Sequence, residues 1–497
     1  MTRVDVLRWP LIGRALRWRY GRLAVQIPLV ILAVLMLIDG FYGSRFITGD
    51  NAPENLATVA AWVHYRGLVI VALLLAGNLF CMACPFTLPR TLAKRLSISG
   101  RRAPRWMRNK WFAVGGLFTL FFLYEWLDLW SSPVLTAWVI VFYFVAAFVL
   151  EAAFKESAFC KYICPLGTFN FVYSTVSPTQ IGVHSADVCR TCVGKECING
   201  SYSPQPVILI DQISTEGRPQ KIHQHTPQGT LGCGTDLFAP QIKSNLDCTL
   251  CLDCARACPH QNVGLFIRPP ARELTDPDAW RKRWDIAFLV VALAFMGITN
   301  AFGMVSPVYA LMERLYNGLV PLRSVGLSPQ MIEGVVLLLI FGTGNLLIPA
   351  AVMVGLAGLV RWLTARKETL QQVAARFAPA FVPIGFGVWG AHYLFHFLIG
   401  VWSIVPVMQA FFGARPNYAL VGIAPDSPVL ALVEIVFLLG GFLGSLWVAQ
   451  RIALKAYRRG GMLAFMPYAF IFLVMMLVAL WIMGLPMEMR GTSALFG

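Results

Sequence analysis

The chain has 497 residues, of which 57% are hydrophobic and 13% charged, against a charged fraction of roughly 25% in ordinary soluble domains. A mean hydropathy of +0.64 excludes a purely soluble protein and puts most of the chain against membrane lipid. The net charge of +16 does not indicate nucleic acid, because the Lys and Arg residues flank apolar runs instead of lining a soluble face.

A hydrocarbon core about 30 Å thick takes roughly 20 apolar residues per helix. Runs of that kind lie near 23–43, 61–82, 111–130 and 134–154, and again near 285–306, 331–361, 377–405, 428–449 and 462–485. The sequence therefore predicts about nine spans. The first follows a basic N-terminal stretch without a small-residue cleavage site, and is expected to be a retained anchor. The sixth carries Gly342, Gly344, Asn345 and Pro349, which predict a tilt, kink or break. Basic residues gather in alternate loops, and loops of this kind stay on the cytoplasmic side. They are Arg3, Arg8, Arg14, Arg17, Arg19 and Arg22 before the first span, and Arg90, Lys94, Arg95, Arg101, Arg102, Arg105, Arg108 and Lys110 after the second. Arg366, Lys367 and Arg376, then Arg451, Lys455, Arg458 and Arg459, continue the alternation. The expected protein is multi-pass in a bacterial inner membrane, with its N-terminus and polar middle cytoplasmic and its C-terminus outside.

That middle holds the strongest chemical signal. Cys248, Cys251, Cys254 and Cys258-Pro259 fit the pattern C-x2-C-x2-C-x3-C-P, in which soft thiolates hold iron and the fourth cysteine completes a neighbouring cluster. A zinc ribbon would leave the third cysteine and the proline unexplained. The neighbouring cluster needs three more ligands, and Cys189, Cys192 and Cys197 supply them at C-x2-C-x4-C spacing. The expectation is one [4Fe-4S] cluster on Cys189, Cys192, Cys197 and Cys258, and a second on Cys233, Cys248, Cys251 and Cys254. Residues 178–284 are thus predicted to form a two-cluster ferredoxin-like α+β domain, inserted into an α-helical polytopic membrane protein between a four-helix region, 1–177, and a five-helix region, 285–497.

Four cysteines remain. Cys81 and Cys84-Pro85 close the second span, and Cys160 and Cys164-Pro165 follow the fourth, so the topology brings both pairs to one membrane surface. Together they suit a third cluster, a metal site or a pair of redox-active dithiols, or they are inert buried pairs.

These paired cysteine-proline motifs, followed by a two-cluster cysteine segment, resemble the NapH, MauN and NosR group of membrane ferredoxin-type proteins over about residues 20–270. The first pair here is C-x2-C-P where that group shows C-x3-C-P, and the last five spans lie outside the likeness. The resemblance implies a quinol dehydrogenase or electron relay that couples the quinone pool to a partner redox subunit such as a periplasmic cytochrome or reductase.

Ionisable residues inside spans are costly and are functional candidates. His392 and His396 share one helix face, and His64 falls at a similar depth. They suit a quinone or metal site, interhelical hydrogen bonding or, less readily, haem b, since two histidines one turn apart cannot both bind one iron axially. Glu125, Asp128, Glu333 and Glu434 are candidates for accepting quinol protons, or are solvated interfacial residues. No nucleophile-base set or nucleotide-binding glycine motif is present. The sequence points to electron transfer. An assembly factor supplying electrons to a metalloenzyme, and a transporter-like body regulated by clusters, are the competing readings.

Overall fold

The computed structural model describes residues 4–18, 20–43, 52–88, 93, 102–200, 229–276, 279–418 and 421–488. Arg3, Arg19, Arg90, Lys94, Arg95, Arg101 and the segment 201–228 lie outside the described residues. The protein is mostly helical and polytopic, with seven continuous helical stretches long and apolar enough to cross a membrane. In chain order these contain α1 (Gly21–Gly43), α2 (Leu56–Leu75), α4 (Pro133–Ala153), α6 (Trp284–Phe302), α7 (Pro329–Thr364), α8 (Leu370–Ile399) and the pair α9 (Pro428–Tyr457) and α10 (Gly461–Met483). The last two count as one stretch because only a 3-10 turn, Arg458–Gly460, separates them. A further apolar helix, α3 (Trp111–Trp126), has 16 residues and falls short of the length that a perpendicular crossing needs. The nine apolar runs of the sequence are all helical, in seven stretches and one shorter helix.

Ser-Pro and Thr signals set where these helices begin. Ser132 Oγ accepts from Leu135 N–H at 3.3 Å and Ser328 Oγ from Met331 N–H at 3.2 Å. In both helices proline occupies the first turn, where its missing N–H costs nothing. Thr369 and Gln372 form a reciprocal capping box at Leu370, satisfying two N–H groups at once. In α7 the expected interruption takes the form of a π-helical turn at Thr343–Leu347 within an unbroken 36-residue helix. Pro349 has no N–H to donate to the carbonyl of residue 345, and the widened turn absorbs that defect without a break.

Helices α6 and α8 are buried along nearly their whole length, as expected of central helices that are apolar all round. Glycine lets α8 and α9 approach closely: a Cβ on Gly387 would stand 2.5 Å from the Phe437 carbonyl oxygen. One hydrophobic core runs from Val69 and Ile70 of α2 through Leu117 of α3 to α6, α8 and α10. The N-terminal and C-terminal helices are therefore packed on each other around a common interior.

The cysteine-rich middle contains a two-stranded antiparallel sheet, β1 (Thr179–Val183) and β2 (Val263–Ile267), with Ile181 opposite Leu265. The N-terminal segment bridges to β2 at Asp5–Phe266. There Asp5 accepts from Leu7 N–H and Leu265 N–H, both at 2.9 Å, and faces His184 Nε2 at 2.9 Å. Buried ion pairs fasten this unit to the helices. Lys110 meets Asp247 and its N–H donates to Asp285 at 2.7 Å, while Arg22 of α1 meets Asp253 at 2.9 Å.

Candidate iron-sulfur relay

None of the twelve cysteines forms a disulfide, and the fold gathers them into three sets of four. Cys189, Cys192, Cys197 and Cys258 line one hollow together with Phe238, His260 and Val263. Asn262 organises two of its sulfurs: its Nδ2 donates to Cys189 Sγ at 3.1 Å and its backbone N–H to Cys258 Sγ at 3.4 Å. Burial pushes the Cys197 thiol up to about 11, because desolvation opposes the thiolate.

Cys233, Cys248, Cys251 and Cys254 are all near enough to feel one another's charge. Burial raises the Cys248, Cys251 and Cys254 thiols. Between them, Leu250 and Leu252 adopt left-handed backbone, φ 51° and 61°, an unfavourable conformation for leucine. Alternating hands along a loop turn successive N–H groups inward and form a concavity suited to an anion or an iron-sulfur group. The isolated Cys233 also ties this set to the first, its N–H donating to the Cys197 carbonyl at 2.9 Å. Gly232 permits the approach, since a Cβ there would stand 2.0 Å from the Ile198 oxygen.

The two cysteine-proline motifs use one device. Cys84 and Cys164 each precede a helical turn whose first residue is the following proline. At the second motif Gly167 N–H donates to Cys164 Sγ at 3.2 Å. A thiolate at Cys164 caps a free N–H group and meets the positive end of the helix. The Asn170 amide donates to Cys81 Sγ at 3.5 Å. Cys81, Cys84, Cys160 and Cys164 all lie within electrostatic reach of one another, and burial pushes the Cys84 thiol up to about 12.

Side chains connect the sets. Asn78 accepts from Cys81 N–H and donates to the Cys248 carbonyl at 3.0 Å. Arg22 spans from the Met82 carbonyl at 3.2 Å to Asp253. Ser157 N–H donates to Gly234 O at 2.8 Å and Lys161 Nζ to Thr235 O at 2.5 Å, tying the Cys160 turn to the Cys233 loop. Pro85 and Pro165, next to Cys84 and Cys164, also form part of the wall of an apolar cavity of about 480 Å³ among the N-terminal helices.

Among the described residues, no three His, Cys, Asp or Glu side chains converge closely enough to hold a single metal ion. Cys189, Cys192, Cys197 and Cys258 line a common hollow. Four soft donors with N–H groups aimed at their sulfurs make a donor set that fits a [4Fe-4S] cluster.

The histidines are dispersed. The ring nitrogens of His64 face the Val59 and Val401 carbonyls at 3.2 and 3.3 Å, and its ring lines the apolar cavity. His392 and His396 are fully buried on α8 with ring centroids 5.0 Å apart, outside that cavity's lining. Glu125, Asp128 and Glu333 share a separate cavity of about 110 Å³ with Glu488, and Glu434 lies on α9 away from it. Asn78, Asn170 and Asn262, whose amides touch the cysteine sets, and Arg22, which reaches Asp253, carry no sequence signal of these roles because their partners are distant in the chain.

Among curated proteins, the chain is similar to the “Putative electron transport protein YccM” of Escherichia coli (strain K12), with 25% identity over 182 residues. The match covers 36% of this chain and 40% of that protein. No family profile matches the chain, and no solved structure does.

Proposed function

We propose that this protein is a membrane-bound iron-sulfur electron carrier that relays electrons between the quinone pool and a redox partner. The observation carrying this reading is the succession of three four-thiol sets. Asn78 and Arg22 join the cysteine-proline set to the Cys248 set, and the Cys233–Cys197 contact joins that set to the last. The partial likeness to a protein named for electron transport supports the same class.

In this reading Cys189, Cys192, Cys197 and Cys258 hold one [4Fe-4S] cluster, and Cys233, Cys248, Cys251 and Cys254 hold the second. Cys81, Cys84, Cys160 and Cys164 hold a third redox centre, for which their mutual proximity favours one shared site over two dithiols. A bound cluster supplies one-electron chemistry at each set. The chain's own part is to fix the spacing, exclude water from the buried thiols, and aim amide N–H groups at sulfur, which tunes potential. One hydroquinone delivers two electrons, which pass singly into the relay, and two protons, which pass to water. The protein crosses a bacterial inner membrane with nine spans, the ferredoxin-like unit cytoplasmic and the C-terminus outside, as the basic loops require.

The test is electron exchange. Dithionite-reduced protein mixed anaerobically with a soluble quinone analogue should recover its oxidised visible spectrum. Failure of that recovery, together with failure of a quinol analogue to bleach the oxidised protein, overturns the quinone-linked reading.

A further inference from the structure

The 480 Å³ cavity is walled by α1, α2, α3, α4, the α5 helix (Pro165–Tyr173) and Tyr393 of α8, and its lining is overwhelmingly apolar with one charged exception. Arg66 lies within the apolar stretch of α2 and is only 5% exposed. Charged groups at such positions are expensive and are normally paired. Yet among the described residues no carboxylate or other hydrogen-bond acceptor meets the Arg66 guanidinium. Its neighbours are aromatic faces: Tyr124 at 4.4 Å, Trp62 at 5.1 Å and Tyr393 at 5.2 Å from ring centroid to guanidinium carbon. Cation–π contacts offset part of the desolvation.

Two polar groups in the same lining are unsatisfied. The hydroxyls of Tyr65 and Tyr143 are buried without hydrogen-bond partners. Both lie within electrostatic reach of Cys84 and Cys164, so they mark the thiol end of the cavity. Leu68, half exposed on the outside of the bundle, is also part of the wall, which gives an apolar tail a route toward lipid. The cavity thus combines the size of a small-molecule site, a flat aromatic interior, a buried cation with no acceptor, and two phenols beside a thiol set.

We propose that this cavity is the binding site for the ring of a lipid quinone, with Arg66 donating to one ring oxygen and the Tyr65 and Tyr143 hydroxyls bonding near the other. A quinone or hydroquinone is a flat apolar ring with oxygens at opposite ends and an apolar tail, and it supplies what the lining lacks. This inference rests on the quinone-linked reading above and gives it a location. His392 and His396, the other ionisable pair in the helices, take no part in it.

The test uses full-length, cluster-loaded protein in detergent, with decylubiquinone and its quinol as probes. Arg66→Met should raise the quinol concentration for half-maximal cluster reduction at least tenfold, while iron content and reduction by dithionite stay at wild-type levels. Arg66→Lys should recover part of the loss. Leu120→Trp, which fills the cavity from α3 without removing a polar group, should have the same effect as Arg66→Met and covers the case in which that variant fails to fold. Wild-type sensitivity to quinol in both Arg66→Met and Leu120→Trp overturns the location and leaves the quinone-linked relay standing. Decylubiquinone binding to wild type but not to Arg66→Met in calorimetry, without any cluster reduction by quinol, supports the site and overturns the relay.

Discussion

Asn262 shows how much a single side chain does at the outermost thiol set. Its amide and backbone N–H reach sulfurs of Cys189 and Cys258, which lie 69 residues apart in sequence. Hydrogen bonds to ligand sulfur stabilise the more negative, reduced state. Asn262→Ala should therefore lower the potential of one centre in an EPR-monitored redox titration while iron content holds; an unchanged potential would mean that the contact is only structural. Cys233→Ala should remove one cluster's iron and sulfide, and an undiminished count would mean that another ligand completes the second set. The thiols of the short repeat were legible because local spacing alone fixes them on one loop. Asn262 and Asn78 were not, since their roles come from contacts across the chain. Arg66 differs from both. It is a lone arginine inside the 61–82 apolar run, visible in the sequence, but its aromatic neighbours Tyr124 and Tyr393 come from distant helices.

At the scale of elements, the approach of the Cys197 helix to the Cys233 loop depends on the absence of a side chain at Gly232. Gly232→Val would drive a side chain into the Ile198 carbonyl, and such overpacking costs about 1–3 kcal/mol. Thermal unfolding should fall accordingly, with iron lost from both ferredoxin-type sets because the two share this contact; a fully loaded variant would contradict the shared anchor. Arg22→Met breaks a buried pair between α1 and the Cys254 turn. Arg256 still meets Asp253 at 2.7 Å, so the loss should stay below the roughly 3–5 kcal/mol of an isolated buried pair, again read by thermal unfolding. Helix positions were legible because a 20-residue apolar run has few alternatives in lipid. The form of the α7 interruption was not. Pro349 and its glycines announced a defect, but whether a helix breaks or widens depends on neighbours such as Thr299, which leaves no room for a Cβ at Gly344.

Across the whole molecule, helices from both sides of the cysteine-rich middle share one interior. Hydropathy reports which residues meet lipid or core and carries little information on which helix meets which, so Tyr393 of α8 in the wall of the N-terminal cavity could not be foreseen. The proposed orientation makes its own prediction: an alkaline phosphatase fused at the C-terminus should be active and a green fluorescent protein dark, and the opposite pattern would invert the topology. The measurement that bears most directly on the relay is the metal itself. Anaerobically purified protein should contain iron and acid-labile sulfide in equal amounts, as two cubanes on the ferredoxin-type thiols and a further cluster that disappears in Cys164→Ala. Stoichiometric zinc in place of iron, or no labile sulfide, would contradict the account.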